Sequence, residues 1–544
     1  MIAVKERALW SAVVAVLAAG VANALPAYGP MQVTGNVQSQ TLIRDPDIDK
    51  FQLVQNRNTL RVRLDYEWLK DGKWVDRFSL PWVRSSHLFL LYRGVYDSVY
   101  DIAPGGNLRG ILGQSTGRIA DLSGSRRDQL KFPENELREG YIDLDLRDVP
   151  LSFRLGRQQV VWGETDQFRM LDRANPLDLT WHQLFESWDD LRIPLWMIKG
   201  LWRVGQVGPL SDAFVESYWD LGDWQPAHQG FMPDFPWGIP SQSPLNTLLG
   251  PNSPFHFNQL LNDTRLFKQG DYSRDPGANS QFGIRASAVT PQGIQFTLNY
   301  FYQRWAGDDG TNYAPVRALT SRSAINRAIA RHQAPVEFIA PYVHTAGLSM
   351  NYADEDYTQT VYRVETIYDF GVPFTDEAKN PPPLTPLQGQ AFGVTKRDMW
   401  KGMVAFDRPT WIRLLNRKST FFLTGQFFWH WLIDREPSFI GNVDPRTPSR
   451  DHLREWEAIT TLAITTFYAA GTIVPTLSYA LDPVNTYNMY IGWTVDYFLT
   501  NEFIIRLGQN YFVNPGVPPV FESWSLGGFN RGRSETMLRL TYQF

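Results

Sequence analysis

Apolar and polar side chains alternate strictly over the last residues of the chain. Leu538, Leu540, Tyr542 and Phe544 fall on one side of this pattern, and Met537, Arg539, Thr541 and Gln543 fall on the other. Successive side chains of a β-strand point to opposite faces, so this period of two predicts a strand that ends the chain. One face of the strand suits hydrocarbon and the other suits water.

The same alternation recurs along much of the chain in segments of about ten residues, the length of a transmembrane β-strand. Residues 59–68 place apolar and aromatic side chains on one face and charged side chains on the other. Further segments are residues 141–147, 151–161, 282–290, 294–303, 357–370, 421–431, 472–481, 487–497 and 503–511. Counting from a weak first strand at residues 32–40 predicts about 18 strands, and leaving out the weak segments predicts 16.

The connections between these segments alternate in length. Short turns are predicted at residues 148–150, 208–211, 291–293, 354–356, 469–471 and 499–501. Long loops are predicted at residues 162–195, 220–280, 304–344, 371–397, 432–454 and 512–534, with one short connection, 482–486, on the same side. Outer-membrane barrels direct short turns to the periplasm and long loops to the exterior. Residues 317–331 carry apolar side chains at helical spacing, which predicts a short helix in a loop.

A closed barrel accounts for the composition. Aromatic residues make up 14% of the chain, although the mean hydropathy is −0.30. A lipid-facing band between aromatic girdles, around a polar lumen, produces both values. Outer-membrane barrels as a class also end in a strand with a terminal aromatic residue, as here at Phe544. We therefore predict an all-β fold, a transmembrane antiparallel β-barrel with long extracellular loops and little helix; an aromatic-rich secreted sandwich or propeller leaves the C-terminus unexplained.

The N-terminus has the features of a secretory signal. Two basic residues precede an apolar stretch at residues 8–21, and residues 22–24 read Ala-Asn-Ala, a small-residue cleavage site. The stretch is shorter than the ~20 residues of a membrane helix, so an uncleaved anchor is the weaker interpretation. We predict a signal peptide at residues 1–24 and an outer-membrane β-barrel at residues 25–544.

Composition and motifs argue against several kinds of chemistry. The chain has no cysteine, which excludes disulfides and thiolate sites, and 52 basic against 56 acidic residues give no basic excess for nucleic acid. Residues 113–117 match G-x-S-x-G, but Ser115 lies in a polar loop without the strand and helix of a hydrolase elbow. The histidines lack zinc spacing, and the acidic groups at residues 45–49 and 354–356 lack the rest of a calcium loop. We expect no catalytic residues, cofactor, metal or nucleic-acid partner.

The loop at residues 162–195 and the strand before it contain motifs that resemble a known family. The motifs are the run at residues 156–163, the Asn175-Pro176-x-Asp178 element and Asp190-x-Arg192-Ile193-Pro194, with residues 420–428 as a further match. They look like the signature of bacterial outer-membrane proteins that carry domain of unknown function 1302. The resemblance implies a large porin-like β-barrel that passes small or hydrophobic compounds, and it implies no catalytic residues.

This loop is also rich in tryptophan, arginine and acidic side chains. A barrel of 16 to 18 strands leaves an aqueous channel unless loops fold inward, so we hypothesise that this loop enters the lumen and forms its constriction. The candidate residues are Trp162, Asp166, Arg169, Asp172, Arg173, Asn175, Asp178, Trp188, Asp189, Asp190, Arg192 and Trp196. The alternative is a loop that caps the barrel and packs only on itself.

Charged side chains on the predicted polar faces of the strands are candidates for lining the pore. They are Arg154, Arg285, Arg363, Glu365, Asp369, Arg506 and Arg539. Charged rings tune which solutes pass through other pores. The alternative is that these residues pair with one another and stabilise the wall.

These features predict a channel or transporter that passes small organic or hydrophobic compounds across a Gram-negative outer membrane. The alternative is a non-conducting barrel that acts as a docking or assembly component of an envelope export system. Expected partners are outer-membrane lipid and lipopolysaccharide, the barrel-assembly machinery through the C-terminal strand that ends in Phe544, and a periplasmic or envelope transport partner.

Overall fold

Eighteen long strands form a single antiparallel sheet in the computed structural model of the chain. The residues that the structure describes are 31–44, 52–74, 78–102, 131–166, 168–178, 186–224, 267–269, 276–305, 316–318, 336–338, 341–376, 378, 394–443, 450–484, 487–513 and 534–544. The strands are β1 (Met31–Arg44), β2 (Gln52–Lys70), β3 (Val83–Asp97), β4 (Asn135–Leu146), β5 (Leu151–Gln158), β6 (Leu195–Val207), β7 (Leu210–Asp220), β8 (Gln281–Val289), β9 (Gln295–Arg304), β10 (Tyr342–Asp354), β11 (Thr360–Thr375), β12 (Val394–Thr410), β13 (Phe421–Leu432), β14 (Trp456–Thr465), β15 (Ile473–Leu481), β16 (Met489–Phe498), β17 (Phe503–Val513) and β18 (Glu535–Gln543).

The sheet closes on itself because its first and last strands pair. β1 meets β18 in antiparallel register, from Asn36 opposite Gln543 to Arg44 opposite Glu535, and every other strand pairs with its neighbours in sequence. The predicted all-β barrel of 18 strands is confirmed, and the alternative count of 16 is wrong. Two further segments, Lys73–Trp74 and Phe78–Ser79, only extend the turn between β2 and β3.

The period of two along each strand sets the two faces of the wall. In β18, Leu538 and Leu540 are exposed, whereas Met537 is buried. The same alternation continues around the barrel, where exposed apolar side chains include Trp202, Trp219, Leu298, Phe406, Leu477 and Leu507. A continuous apolar surface of this extent requires a lipid environment, and the face that carries it is the outer one.

The predicted short turns are found at one end of the barrel, where β18 also ends. Three details of this end differ from the prediction. β11 begins at Thr360 rather than at residue 357, because the chain turns through residues 355–359 after β10. The connection at residues 71–82, between β2 and β3, and the ten-residue turn at residues 411–420, between β12 and β13, were not predicted at all.

Helix is confined to brief segments of the described residues: Val99–Ile102, Trp188–Leu191, Pro276–Asn279 and a 3-10 turn at Ala469–Gly471. In this part of the chain no helix combines the length and apolar character needed to cross a membrane. The helix predicted at residues 317–331 is extended at its start, in Val316–Ala318, and the remainder lies outside the described residues. The predicted signal peptide at residues 1–24, Ser115 and residues 45–49 also lie outside them.

The last residue of the chain fastens the closure between β1 and β18. Phe544 donates its backbone N–H to the carbonyl of Gly35 at 2.9 Å, and its own carbonyl accepts the Gly35 N–H at 2.8 Å. The Phe544 ring lies so close that a Cβ on Gly35 would be 2.6 Å from its Cζ, and would also press against the Arg61 carbonyl. The aromatic C-terminus therefore packs onto a position where only glycine fits.

We expect Gly35→Ala to destabilise the barrel by about 1–3 kcal/mol, as other overpacked positions do. Gly200→Ala is the matched control, because the nearest atom to its Cβ would be 3.6 Å away, an ordinary contact. Urea unfolding of the detergent-folded protein measures both variants. Equal stability of the two variants would show that Gly35 is not a packing constraint.

Candidate channel site

Residues 159–194, which connect β5 to β6, are called the lumen loop below. Asn175, which is fully buried, ties its two ends together. Its amide donates to the carbonyls of Gln158 at 3.2 Å and Ile193 at 2.9 Å, and its carbonyl oxygen accepts the N–H of Val160 at 2.7 Å. This asparagine is part of the Asn-Pro motif, and its role explains why that position carries a short amide.

A buried ion pair completes the interior of the lumen loop. Arg192 donates to the Asp172 carboxylate through Nε at 2.8 Å and through Nη2 at 2.6 Å, and both side chains are almost fully buried. Arg169 donates to the carbonyl of Asn175 at 2.6 Å. Backbone bonds join Asp178 to Leu191 and Ile193 to Pro176 at 2.7 and 2.8 Å. The two halves of the loop thus form one folded unit.

One half of the lumen loop is hydrogen-bonded to the inner face of β10, β11 and β13, the last through the Asp166 N–H, which donates to Gln426 at 3.3 Å. Arg173 donates to Asp369 in β11 at 2.5 Å and to Thr345 in β10 at 2.9 Å. The backbone N–H of Glu164 donates to Glu365 at 3.2 Å. Arg363 in β11 donates to the Asp166 carboxylate of the loop at 2.8 Å.

The other half is bonded to an arc of arginines across the barrel. Asp190 accepts from Arg61 in β2 at 2.7 Å and from Arg93 in β3 at 3.0 Å. Arg138 in β4 donates to the carbonyls of residues 189, 190 and 192. Glu186 accepts from Gln40 at 2.8 Å and pairs with Arg57 at 3.5 Å and Arg539 at 3.3 Å.

The arginines determine the charge state of Asp190. Burial alone would raise the pKa of this carboxyl, but the positive charges of Arg61, Arg93 and Arg138 outweigh it and lower the pKa to about 2. Glu134, at the base of the neighbouring loop, also has a lowered pKa; burial opposes that shift, and Arg93 and Arg138 cause it. Both carboxylates are therefore ionised at neutral pH.

An apolar cluster fills the space between the lumen loop and the wall. Trp162 packs against Tyr218 and Phe301 with ring centroids 5.1 and 5.2 Å apart, and its indole N–H donates to Glu216 at 2.9 Å. Phe168 meets Phe428 of β13 edge to face at 5.3 Å. The remaining buried members include Val160, Met170, Leu171, Ala174, Leu195, Met197 and Met403.

The structure places eleven of the twelve predicted constriction residues in this inward-folded loop. The alternative of a loop that packs only on itself is contradicted by the bonds to opposite sides of the wall. Trp188 joins the halves by donating from its indole to the Asp166 carbonyl at 2.7 Å. Trp196 is the exception: it lies in β6, 52% exposed on the outer face. The strand begins at Leu195, so Trp196 alternates with the inward Met197 and belongs to the lipid-facing surface.

The predicted pore-lining residues all lie on the inner face, and most are ion-paired. Arg154 pairs with Asp143, Arg285 with Glu216, Arg363 with Asp166 and Asp407, Asp369 with Arg173, Arg506 with Asp496, and Arg539 with Glu186. Glu365 is fully buried beneath the lumen loop. Five of the seven therefore contact the loop: Arg363, Glu365, Asp369 and Arg539 at its polar groups, and Arg285 at the Trp162 ring, whose centroid is 5.3 Å from the guanidinium. Arg154 and Arg506 pair along the wall.

Of the arginines that bond to residues 186–192 of the loop, only Arg539 was among the predicted pore-lining residues. Arg61 stood on a predicted polar face, but Arg57, Arg93 and Arg138 were not selected, and neither was Glu186. An arginine at a polar position of an alternating strand is a usable signal. Its partner depends on which strands lie opposite each other across the lumen, which alternation does not determine.

A further arc of the wall remains without such bonds. Among the described residues, no hydrogen bond or ion pair of the lumen loop reaches β14 to β17. Small and polar side chains of these strands share the inner face and stay partly exposed: Thr465, Thr476, Ser478, Thr494, Asp496 and Arg506. These six residues are called the polar arc below.

The family known as "Protein of unknown function (DUF1302)" matches residues 6–497, and the chain belongs to this family. No curated protein matches the chain. Solved structures similar to it include OccAB3 of Acinetobacter baumannii, at 8% identity and a TM-score of 0.44, covering 94% of this chain and 99% of that one. OpdK of Pseudomonas aeruginosa with vanillate has 8% identity, a TM-score of 0.42 and coverage of 94% and 98%. A BenF-like porin from Pseudomonas fluorescens has 8% identity and a TM-score of 0.44, with coverage of 94% of this chain and 98% of that one. Likeness at this level carries no argument about function.

Asp190→Asn is expected to lower the free energy that holds residues 186–194 of the lumen loop against the wall. The expected loss is about 1–3 kcal/mol, the cost of a lost charge-assisted hydrogen bond. Because the folded pKa of Asp190 is lowered to about 2, its contribution is complete above the unfolded value of about 3.9 and is lost as the pH falls through 2. Protease cleavage within the loop, followed from pH 7 to pH 2, measures this.

Asp189→Asn provides the control, because the Asp189 side chain is 82% exposed and its pair with Arg192 is a surface contact worth little. The wild type and this control should lose protection in acid, whereas Asp190→Asn should already be cleaved faster at pH 7. Similar cleavage of both variants would mean that the arginines do not hold the loop through Asp190.

Proposed function

We propose that the protein is a channel of the Gram-negative outer membrane that passes small organic compounds, with the lumen loop as its constriction. The supporting observation is a closed barrel of 18 strands whose lumen loop is bonded to two sides of the wall while the polar arc stays partly exposed. Wall side chains alone do not fill a barrel of this width, and we propose that a passage remains beside the loop. The outer-membrane location is supported by the terminal strand and by the alternation of short turns with long loops.

The lining of the polar arc favours solutes that exchange hydrogen bonds with hydroxyl groups. Thr476, Ser478 and Thr494 each offer a donor and acceptors, and the nearby charges of Arg506 and Asp496 neutralise each other at 2.5 Å. Of the loop's aromatic side chains that the structure describes, Trp162 is buried in the apolar cluster, whereas Phe168 and Trp188 are partly exposed. We therefore propose passage of small polar organic compounds without strong selection for either sign of charge.

Ser478→Trp is expected to reduce single-channel conductance by roughly half or more, because pore radius and lining govern conduction. Leu477→Trp is the matched control: the neighbouring side chain faces lipid, where it is exposed, so conductance should not change. Planar-bilayer recordings of both purified variants measure this. If both variants conduct like the wild type, the route does not follow the polar arc, and if the wild type forms no channels, the proposed function is wrong.

Removal of residues 164–192 is expected to raise conductance, since this deletion takes away the part of the lumen loop that crosses the lumen. Circular dichroism and a detergent-resistant fold establish that the shortened barrel is intact. An unchanged conductance in a folded barrel would contradict the constriction.

A further inference from the structure

The unpredicted turn at residues 411–420 is called the basic turn below. It has a defined shape because Asn416 is buried at its centre. The Asn416 amide donates to Thr466 Oγ1 at 3.0 Å and to the Phe467 carbonyl at 2.9 Å. Its oxygen accepts the N–H groups of Lys418 and Ser419 at 3.0 and 3.1 Å. The turn is thus fixed to the neighbouring turn that follows β14.

The basic turn lies against the outer face of the wall. Thr466 directly follows β14 and shares a face with Ile464, which pairs with the exposed, lipid-facing Leu477. Tyr468, on the same face, donates its hydroxyl to the Leu415 carbonyl at 3.3 Å. Both contacts place the turn on the side that the apolar band occupies.

Three apolar side chains of the basic turn are unusually exposed. Leu414 is 92% exposed, Leu415 61% and Trp411 55%. Solvent-exposed apolar side chains grouped in this way mark a surface that meets another apolar phase. Since the turn continues the lipid-facing wall, that phase is the bilayer.

Four exposed cations lie within the basic turn or shortly before it in the chain. Arg408 is exposed and alternates with the outward Phe406, because Asp407 between them points inward to Arg363. Arg413 lies 6.0 Å from the Trp411 ring centroid, and Arg417 and Lys418 follow it. In the part of the chain that the structure describes, none of the four is ion-paired, in contrast to the arginines inside the barrel.

We propose that the basic turn is a binding site for the headgroups of anionic phospholipids in the adjacent leaflet, the periplasmic one in the orientation proposed above. Trp411, Leu414 and Leu415 enter the boundary between headgroups and acyl chains, as aromatic and apolar side chains do at membrane interfaces. The long cationic side chains extend from this boundary to the phosphates, which clusters of Lys and Arg next to a membrane recognise. The site requires the barrel to lie in a bilayer, but it does not depend on solute conduction.

Native mass spectrometry of the full-length protein in micelles that contain phosphatidylethanolamine and phosphatidylglycerol tests this site. We expect Arg417→Gln/Lys418→Gln to bind phosphatidylglycerol roughly tenfold more weakly, because each cation near an anionic surface adds to affinity. Binding of phosphatidylethanolamine should not change. Added salt should lower the affinity of the wild type for phosphatidylglycerol towards that of the variant.

Arg84→Gln/Arg203→Gln is the matched control. It also removes two exposed arginines at the same end of the barrel, but these approach Asp145 on the lumen face. Retention of phosphatidylglycerol should match the wild type in this control. The proposal fails if the wild type shows no preference for phosphatidylglycerol. It also fails if both double variants lose phosphatidylglycerol equally, or if the basic-turn variant retains this lipid in full. A periplasmic protein that co-purifies in place of lipid would assign the surface to a protein partner instead. Channel recordings are independent of each of these results.

Discussion

A β-sheet in lipid has no water to satisfy its edges, so each strand needs a neighbour on both sides. This constraint governs the whole molecule. It is met only because β18 pairs with β1, and two backbone hydrogen bonds between Phe544 and Gly35 stabilise this pairing. Every later feature follows from it, since a sheet of this many strands that closes on itself necessarily encloses a wide interior.

The lumen loop occupies that interior through two opposite sets of charges. On one side the loop supplies Arg173 to Asp369 of the wall, and also Asp166 to Arg363 of the wall. On the other side the loop supplies Asp190 and Glu186, and the wall supplies arginines. Buried ion pairs contribute little net stability, but breaking one leaves an uncompensated charge. The arrangement therefore favours this placement of the two halves, because the reversed one would bring Arg173 towards the arginines and Asp190 towards Asp369.

The wall and the inward loop were both predictable from the sequence, whereas the contacts between them were not. Alternation is a local pattern, so it identified strands such as β18 and assigned Arg363 and Asp369 to the inner face. Asp166 lies 197 residues from Arg363, and nothing local indicates that they meet. The sequence also does not indicate where the loop ends and β6 begins. Trp196 comes directly after the Ile193-Pro194 motif and Leu195, although it already belongs to β6. The basic turn escaped because its apolar Leu414 and Leu415 do not resemble a turn.

Glu186 touches three strands, of which β18 lies beside β1 only because the barrel is closed. It accepts from Gln40 in β1 and pairs with Arg57 in β2 and Arg539 in β18. One carboxylate thus staples the seam where the chain's first and last strands meet. The anchoring of the lumen loop and the closure of the wall are for this reason coupled, because both use the same carboxylate.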